Sequence, residues 1–153
     1  MSNPERRSGG GTRRKGRALA MKLLYQVELG GQPLDDVCSR YEEYASAPDK
    51  VREFALALAR GVVEHKEELD AGIKEALDNW EFDRLAAVDR QLLRVAAYEL
   101  IHLEDIPARV TINEAIELSR EYSTENSAGF VNGVLDNLCG KRAAHKKEDS
   151  GRN

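Results

Sequence analysis

Apolar residues recur every three or four positions through most of this chain, which is the spacing of an amphipathic helix. One such segment covers residues 12–29 and is ended by Gly30-Gly31, a typical helix stop. A second helix is predicted over residues 33–45, and a third runs from residue 49 towards Trp80 with a bend near Gly61. Because their apolar stripes can face one another, these segments predict a small helical bundle.

The second half of the chain continues the helical period. Asp83 is placed to cap a helix over residues 84–103. Ile106-Pro107 then interrupts the helical pattern, because proline disfavours a helical conformation in the residue before it. The segment Thr111-Ile-Asn-Glu114 has the capping-box form and predicts the start of the next helix at Thr111. A polar loop precedes a last helix, predicted over residues 127–139.

No segment shows the alternation of a β-strand, so the predicted fold class is all-α. The 153 residues are most simply one domain, residues 13–139, with subdomains of about 13–81 and 83–139. A charged fraction of 33% suits exposed helical faces, and aromatic residues make up only 6%. The two ends, residues 1–12 and 140–153, are predicted to be flexible basic tails.

Charge is distributed unevenly along the chain. Residues 1–17 hold six basic side chains against one acidic one, and residues 140–153 hold five against two. The formal net charge is −4, so the middle of the chain is strongly acidic. The ends and the body are therefore expected to face different partners. A basic end taken alone fits a solubilising tail as well as it fits nucleic-acid contact.

The sequence carries no recognisable catalytic or cofactor motif. The three histidines, His65, His102 and His145, lie on separate segments without other ligands at metal-site spacing, so no metal site is expected. A G-x-S-x-G nucleophile motif is absent, and residues 133–141 have the wrong spacing for a phosphate loop. We expect a protein that is not an enzyme and has no cofactor.

The expected location is the cytoplasm. Cys38 and Cys139 are isolated from each other and from metal-ligand partners, as is usual for reduced thiols. The basic N-terminus is followed by no apolar segment of the secretory type, and no apolar run is long enough to span a membrane.

Several polar and aromatic positions allow both a structural and a functional interpretation. Asp89 is expected to form an ion pair with Arg94 or Arg90. Phe130 is more often a core residue than a base-stacking platform. Asn132 lies beside it near the start of the last helix, whose N–H groups attract anions, so Asn132 is either a helix-bridging residue or an RNA contact. Gly129 and Gly133, four residues apart, suggest close approach to another helix or to a ligand.

Four segments, in this order, resemble the NusB family of bacterial transcription antitermination proteins. They are RRKGRALAMKLLY (13–25), VDRQLLRVAAYEL (88–100), IPARVTINEAIEL (106–118) and FVNGVLD (130–136). The resemblance covers residues 13–139 and implies an all-α fold of two packed helical bundles. It implies a non-catalytic factor that binds boxA RNA of ribosomal RNA operons together with ribosomal protein S-ten (NusE). It further implies that the protein joins the RNA polymerase antitermination complex, which contains other Nus factors.

The resemblance also implies which residues bind. The implied RNA-binding residues are Arg13, Arg14, Lys15 and Arg17 in an arginine-rich element, and Tyr122, Asn126, Phe130 and Asn132 around the last loop. Asn126 occupies a position that is acidic in some relatives. Glu81 and Glu99 are the candidates for contact with the protein partner.

Two other functions remain open from the sequence. NusB-like domains also precede the catalytic domain of some ribosomal RNA cytosine methyltransferases, although no cofactor-binding region or catalytic cysteine motif follows here before Asn153. A protein-binding helical adaptor with an incidental basic tail is the third hypothesis. A homodimer is compatible with a bundle of this size, and the sequence leaves the oligomeric state undecided.

Overall fold

The computed structural model describes the backbone of residues 4–77 and 81–151 and the side chains of residues 11–77 and 81–141. Within these ranges all regular secondary structure is helical, which confirms the predicted fold class. The helices are α1 (Pro4–Gly30), α2 (Leu34–Arg40), α3 (Glu42–Ala45), α4 (Asp49–Glu64), α5 (Lys66–Ala76), a 3-10 helix (Phe82–Arg84), α6 (Ala87–His102), α7 (Ala108–Tyr122) and α8 (Glu125–Gly151). None of these described helices has an apolar stretch that would cross a bilayer.

The chain divides into two compact units, residues 1–64 and 65–153. The sequence placed this boundary near residue 82, because one apolar stripe runs from α4 into α5. The structure instead interrupts the helix at His65, and α5 packs against α6 and α8 of the second unit. Trp80, which was predicted to extend the stripe, lies outside the described residues.

The first unit is built on the packing of α1 against α4. The buried apolar residues of α1 are Ala18, Leu19, Ala20, Met21, Leu23 and Leu24. Those of α4 are Val51, Ala55, Leu58, Ala59 and Val62. Many of these side chains are small, so the two helices approach closely. The predicted stop after α1 is confirmed: Gly31 has a φ of 68°, and its N–H donates to the Val27 carbonyl over 2.9 Å.

The second unit surrounds α6, which contacts α5, α7 and α8. Buried apolar side chains line α6 from Leu92 to Leu100, and four polar residues of the same helix are also buried: Asp89, Gln91, Arg94 and Glu99. Because α6 is enclosed on several sides, its polar residues are buried with its apolar ones, and each buried polar group needs a hydrogen-bond partner. Whether each of these four residues has such a partner indicates whether its role is structural or whether it is a candidate for binding.

Several predicted helix starts are wrong. Asp83 lies inside the 3-10 helix, and α6 begins at Ala87 without a side-chain cap. α7 begins at Ala108, because Pro107 is well suited to a helix start. Thr111 therefore lies within α7, where it is buried and donates to Glu99 Oε1 over 3.1 Å.

The two helices at the chain ends are longer than predicted. α1 begins at Pro4 rather than near Thr12, and proline is favourable at the first helical position because its missing N–H is not needed there. α8 continues to Gly151, through residues that the sequence assigned to a basic tail. The segment Gly9-Gly10-Gly11 lies within α1, although glycine disfavours helix.

Candidate nucleic-acid interface

The first candidate surface is the basic cluster of α1, which we define as Arg13, Arg14, Lys15 and Arg17. The side chains of Arg13, Arg14 and Lys15 are exposed, whereas Arg17 is only 3% exposed. The Arg13 and Arg17 guanidinium carbons lie 5.7 and 5.6 Å from the centre of the Phe54 ring. Arg17 is thus a packing residue of the first unit, which disagrees with the phosphate-binding role that the resemblance implied.

Gly16 explains how an arginine-rich turn packs so closely on α4. A Cβ atom added at Gly16 would lie 2.7 Å from Phe54 Cδ2. Glycine is therefore required at this close approach, and Phe54 fills the space between the two flanking arginines. The structure shows that this segment is a packed part of α1.

The second candidate surface begins at the turn between α7 and α8. Thr124 Oγ1 accepts a hydrogen bond from the Ser127 N–H over 3.1 Å and so caps the start of α8. The Ser127 hydroxyl lies 2.9 Å from Ser123 Oγ and 3.0 Å from Thr124 Oγ1. It also donates to Asp89 Oδ2 over 3.0 Å, which ties the turn to α6.

A surface pocket of about 230 Å³ adjoins this turn. We call it the Asp89 pocket; its lining residues are Arg84, Leu85, Ala86, Asp89, Asn126, Ser127 and Phe130. Asp89 is 7% exposed, and among the described residues its Oδ1 is buried without a hydrogen-bond partner. A buried acceptor that lacks a donor is uncommon in folded proteins and is often explained by function. Asp89 is therefore a functional candidate that the sequence interpretation missed.

Asp89 does not form the ion pair that was expected from its sequence neighbours. Arg94 instead makes a two-point ion pair with Asp70, with Nε–Oδ1 at 2.8 Å and Nη2–Oδ2 at 3.0 Å. Arg90 donates to the carbonyls of Phe82 and Leu85. Local sequence gave no sign of the Asp89–Ser127 contact, because 38 positions separate these two residues.

The predicted residues around the last loop are only partly brought together. Asn126 and Phe130 are four apart on α8 and both line the Asp89 pocket, whereas Asn132 is not among the lining residues. Asn132 is rotated by roughly 200° around the helix from Phe130. Tyr122 is half-buried at the last residue of α7.

Gly129 and Gly133 are not explained by helix packing. No described atom outside the local helix backbone lies within 4 Å of a Cβ added at either position. The first of the two interpretations, close approach to another helix, is therefore wrong. Close approach to a ligand stays a prediction.

The two candidates for protein contact differ in exposure. The Glu81 side chain is 71% exposed and pairs with Arg84, with Nε–Oε2 at 3.1 Å. Glu99 is only 1% exposed and accepts a hydrogen bond from Thr111, so it cannot contact a partner in this structure. The prediction for Glu99 fails because α7 packs over the face of α6 that carries it.

Two of the three histidines, which the sequence places on separate segments, lie side by side in the structure. His65 and His102 stack with ring centres 4.1 Å apart, and Glu68 joins them in a group whose ligand atoms all lie within 4.8 Å of one another. His65 and His102 are 37 positions apart in the sequence, so their spacing gave no indication of this contact.

Comparison with known proteins identifies clear relatives. The chain matches the NusB family over residues 14–139. A transcription antitermination protein NusB from Desulfitobacterium hafniense is 39% identical over 142 residues, covering 92% of this chain and 95% of that protein. The structure of NusB from T. maritima is similar with a TM-score of 0.75 and 37% identity, over 90% of this chain and 92% of that one.

A further similar structure is a crystal structure of antitermination factors NusB and NusE in complex with double-stranded RNA. Its TM-score is 0.75 at 30% identity, over 83% of this chain and 95% of that chain. The matched relatives are named as antitermination factors and not as enzymes, which agrees with the non-catalytic function expected from the sequence.

Proposed function

This chain belongs to the NusB family, and on that premise we propose that it binds boxA RNA of ribosomal RNA operons together with ribosomal protein S-ten (NusE). It acts in the cytoplasm as a non-catalytic component of the RNA polymerase antitermination complex. The observation that carries the proposal is the exposed run of Arg13, Arg14 and Lys15 on a helix that is packed into its unit. Such a run supplies phosphate contacts with little loss of backbone freedom.

The Asp89 pocket suits the recognition of an unpaired base. Sequence-specific RNA binding proceeds mainly through splayed bases that stack on aromatic or guanidinium groups and form hydrogen bonds along their edges. Phe130 and Arg84 offer the stacking groups, and Asn126 offers both a donor and an acceptor. The Asp89 carboxylate also lines the pocket, and its unpartnered oxygen, which is buried here, becomes an acceptor when a base displaces the side chains that cover it. A base that presents N–H donors, such as guanine, matches this set.

The protein partner is assigned to the exposed acidic surface near the 3-10 helix. Glu81 is exposed there, and the body of the chain is acidic between its basic ends. An acidic surface complements a basic ribosomal protein and favours encounter in the correct orientation. Glu99 is excluded from this surface by its burial.

The proposal is tested by measuring the affinity of a fluorescent boxA RNA and a scrambled RNA, with and without ribosomal protein S-ten, across a series of salt concentrations. We expect preference for boxA that increases with the partner and decreases with salt. The variant Arg14→Ala/Lys15→Ala should reduce the salt slope by about 1.4, because each lost contact to single-stranded RNA contributes about 0.7. It leaves the Phe54 contacts of Arg13 and Arg17 in place.

The matched control is Lys50→Ala/Lys66→Ala, which removes two exposed charges from other helices. It should change the slope by much less than the Arg14/Lys15 variant. Equal slopes for the two variants would remove the basic cluster as the phosphate site. Equal affinity for both RNAs, with no effect of the partner, would support the helical adaptor instead.

A further inference from the structure

Two histidines and a glutamate meet in the second unit, at the junction of α5 and α6. His65 directly precedes α5, Glu68 lies in its first turn, and His102 is the last residue of α6. The His102 Nε2 and Glu68 Oε1 atoms are 2.5 Å apart. His65 stacks on His102, and Tyr98 stacks on His102 with ring centres 5.3 Å apart. None of these residues belongs to the candidate RNA surfaces.

The distances are close to those of a transition-metal site. Zn²⁺ binds imidazole nitrogen at about 2.0–2.1 Å and carboxylate oxygen at about 2.0–2.2 Å, so tetrahedral ligand atoms lie roughly 3.4 Å from each other. The three candidate ligand atoms all lie within 4.8 Å of one another. To hold an ion, His102 Nε2 and Glu68 Oε1 must move apart from 2.5 Å by about an ångström, and the His65 ring must rotate out of its stack on His102 so that both imidazole nitrogens point to the ion.

The side chains have the freedom to make this adjustment. The Glu68 side chain is 54% exposed and that of His102 is 28% exposed, and neither is locked by a second hydrogen bond among those described. The backbone positions are fixed more firmly, because α5 packs against α6 and carries Leu69 and Ile73, which are fully buried. A fixed backbone holds the three residues near one another, and their side chains can rotate to bind an ion with modest affinity.

We propose that His65, Glu68 and His102 bind a divalent transition-metal ion of the Zn²⁺ type. Two imidazoles and one carboxylate are nitrogen and oxygen ligands that Zn²⁺ accepts, and the exposed side leaves a fourth position for water. Mg²⁺ is a poor match because it prefers oxygen ligands in octahedral geometry. The ion links the start of α5 to the end of α6 and so stabilises the second unit.

The test uses the full chain without a histidine tag, stripped of metal by a chelator, and titrated with Co²⁺ and then Zn²⁺ in the absence of RNA. We expect one Co²⁺ per chain with the strong visible absorption of four-coordinate cobalt, displaced by Zn²⁺ and not by excess Mg²⁺. Zn²⁺ at a hundredfold excess over its dissociation constant should raise Tm by roughly 5–10 °C.

Substitution identifies the ligands. His102→Ala and Glu68→Gln should each weaken Zn²⁺ binding by roughly tenfold or more. His145→Ala is the matched control, because it removes the remaining histidine of the chain, and it should bind as the parent does. Far-UV circular dichroism of each metal-free variant establishes that it is folded before it is titrated.

Three results would overturn the proposal. They are an unchanged affinity in His102→Ala, a loss of binding in His145→Ala, and the intense near-ultraviolet band of a thiolate–cobalt bond, which would assign the ion to Cys38 or Cys139. Weak binding without saturation would overturn it as well, and would leave the cluster as a hydrogen bond within a ring stack. Because RNA is absent, none of these outcomes depends on the proposed RNA function.

Discussion

Replacing Gly16 by alanine tests whether the basic cluster is held in place by the close contact between α1 and α4. The new Cβ atom would lie 2.7 Å from Phe54 Cδ2 and 3.3 Å from Phe54 Cβ. Carbon atoms in normal contact lie about 3.5–4.0 Å apart, so the closer overlap is roughly 1 Å. Phe54 must move, and it carries the contacts of Arg13 and Arg17 with it.

Two opposing effects determine how much Gly16→Ala changes the free energy of unfolding. Overpacking of this kind destabilises by about 1–3 kcal/mol. Alanine in place of glycine inside a helix stabilises by about 1 kcal/mol. We therefore expect Gly16→Ala to lower the free energy of unfolding by about 1 kcal/mol. Gly133→Ala is the matched control, because no described atom outside the local helix lies within 4 Å of the added Cβ. It should stabilise by about 1 kcal/mol.

The assay is equilibrium unfolding in urea, followed by far-UV circular dichroism. The difference between the two variants isolates the overlap, since the gain in helix propensity is common to both. In a Phe54→Ala background most of the penalty of Gly16→Ala should disappear, because only the 3.3 Å contact to the Cβ of residue 54 remains; a double-mutant cycle measures this directly. If Gly16→Ala is as stable as Gly133→Ala, the close contact does not exist in solution and the argument for a packed basic cluster fails.

Three further predictions concern separate parts of the chain. Asp70→Ala should destabilise the protein by about 1.5–3 kcal/mol in thermal or urea unfolding, because it removes both charge-assisted hydrogen bonds that the Asp70 carboxylate accepts from the buried Arg94 guanidinium; a small effect would mean that water replaces the carboxylate. Gly129→Ala should stabilise the helix while weakening boxA binding, and unchanged binding would remove the ligand-approach interpretation. Burial, reinforced by the Asp35 carboxylate, raises the pKa of the Cys38 thiol, so less thiolate is present at neutral pH. In a Cys139→Ser background, iodoacetamide should therefore react several-fold more slowly than with a free thiol, and Asp35→Asn should partly restore the rate.

The sequence predicted the helices well and their first residues poorly, because the two depend on different numbers of residues. A repeated apolar spacing persists over many residues, so a single exception does not hide it. A helix start depends on one or two side chains whose alternatives compete. Thr111 and Glu114 have the spacing of a capping box, but Pro107 begins α7 earlier and Thr111 becomes a buried donor to Glu99.

The exposure of the candidate site residues was predictable where it follows from the local sequence. Three adjacent basic residues, Arg13, Arg14 and Lys15, cannot all face the interior of a helix pair, and all three are exposed. The burial of Arg17 could not be foreseen, because it depends on Phe54, a residue 37 positions later that stacks against it. The same limitation hid the meeting of His65 and His102, whose contact exists only after α5 folds back along α6.

The four buried polar residues of α6 show how structural and binding roles separate along one helix. Arg94 is matched by Asp70 and also donates to Gln91 Oε1 over 3.3 Å, and Glu99 is matched by Thr111. Asp89 alone among them has a buried oxygen without a partner in the described residues. A buried polar group without a hydrogen-bond partner destabilises the folded state, whereas a buried polar group with a partner does not.

The substitution Asp89→Asn should therefore act differently from a change at Asp70. It removes a buried charge but places an amide N–H₂ donor where Oδ1 has no partner, so the two effects oppose each other and the free energy of unfolding should change little. The amide still accepts from Ser127 through its oxygen, but it loses an acceptor for a base that donates N–H groups. Affinity for boxA RNA should fall while the fold is kept. A variant that loses stability and affinity together would mean that Asp89 has a structural role and that the pocket does not read a base.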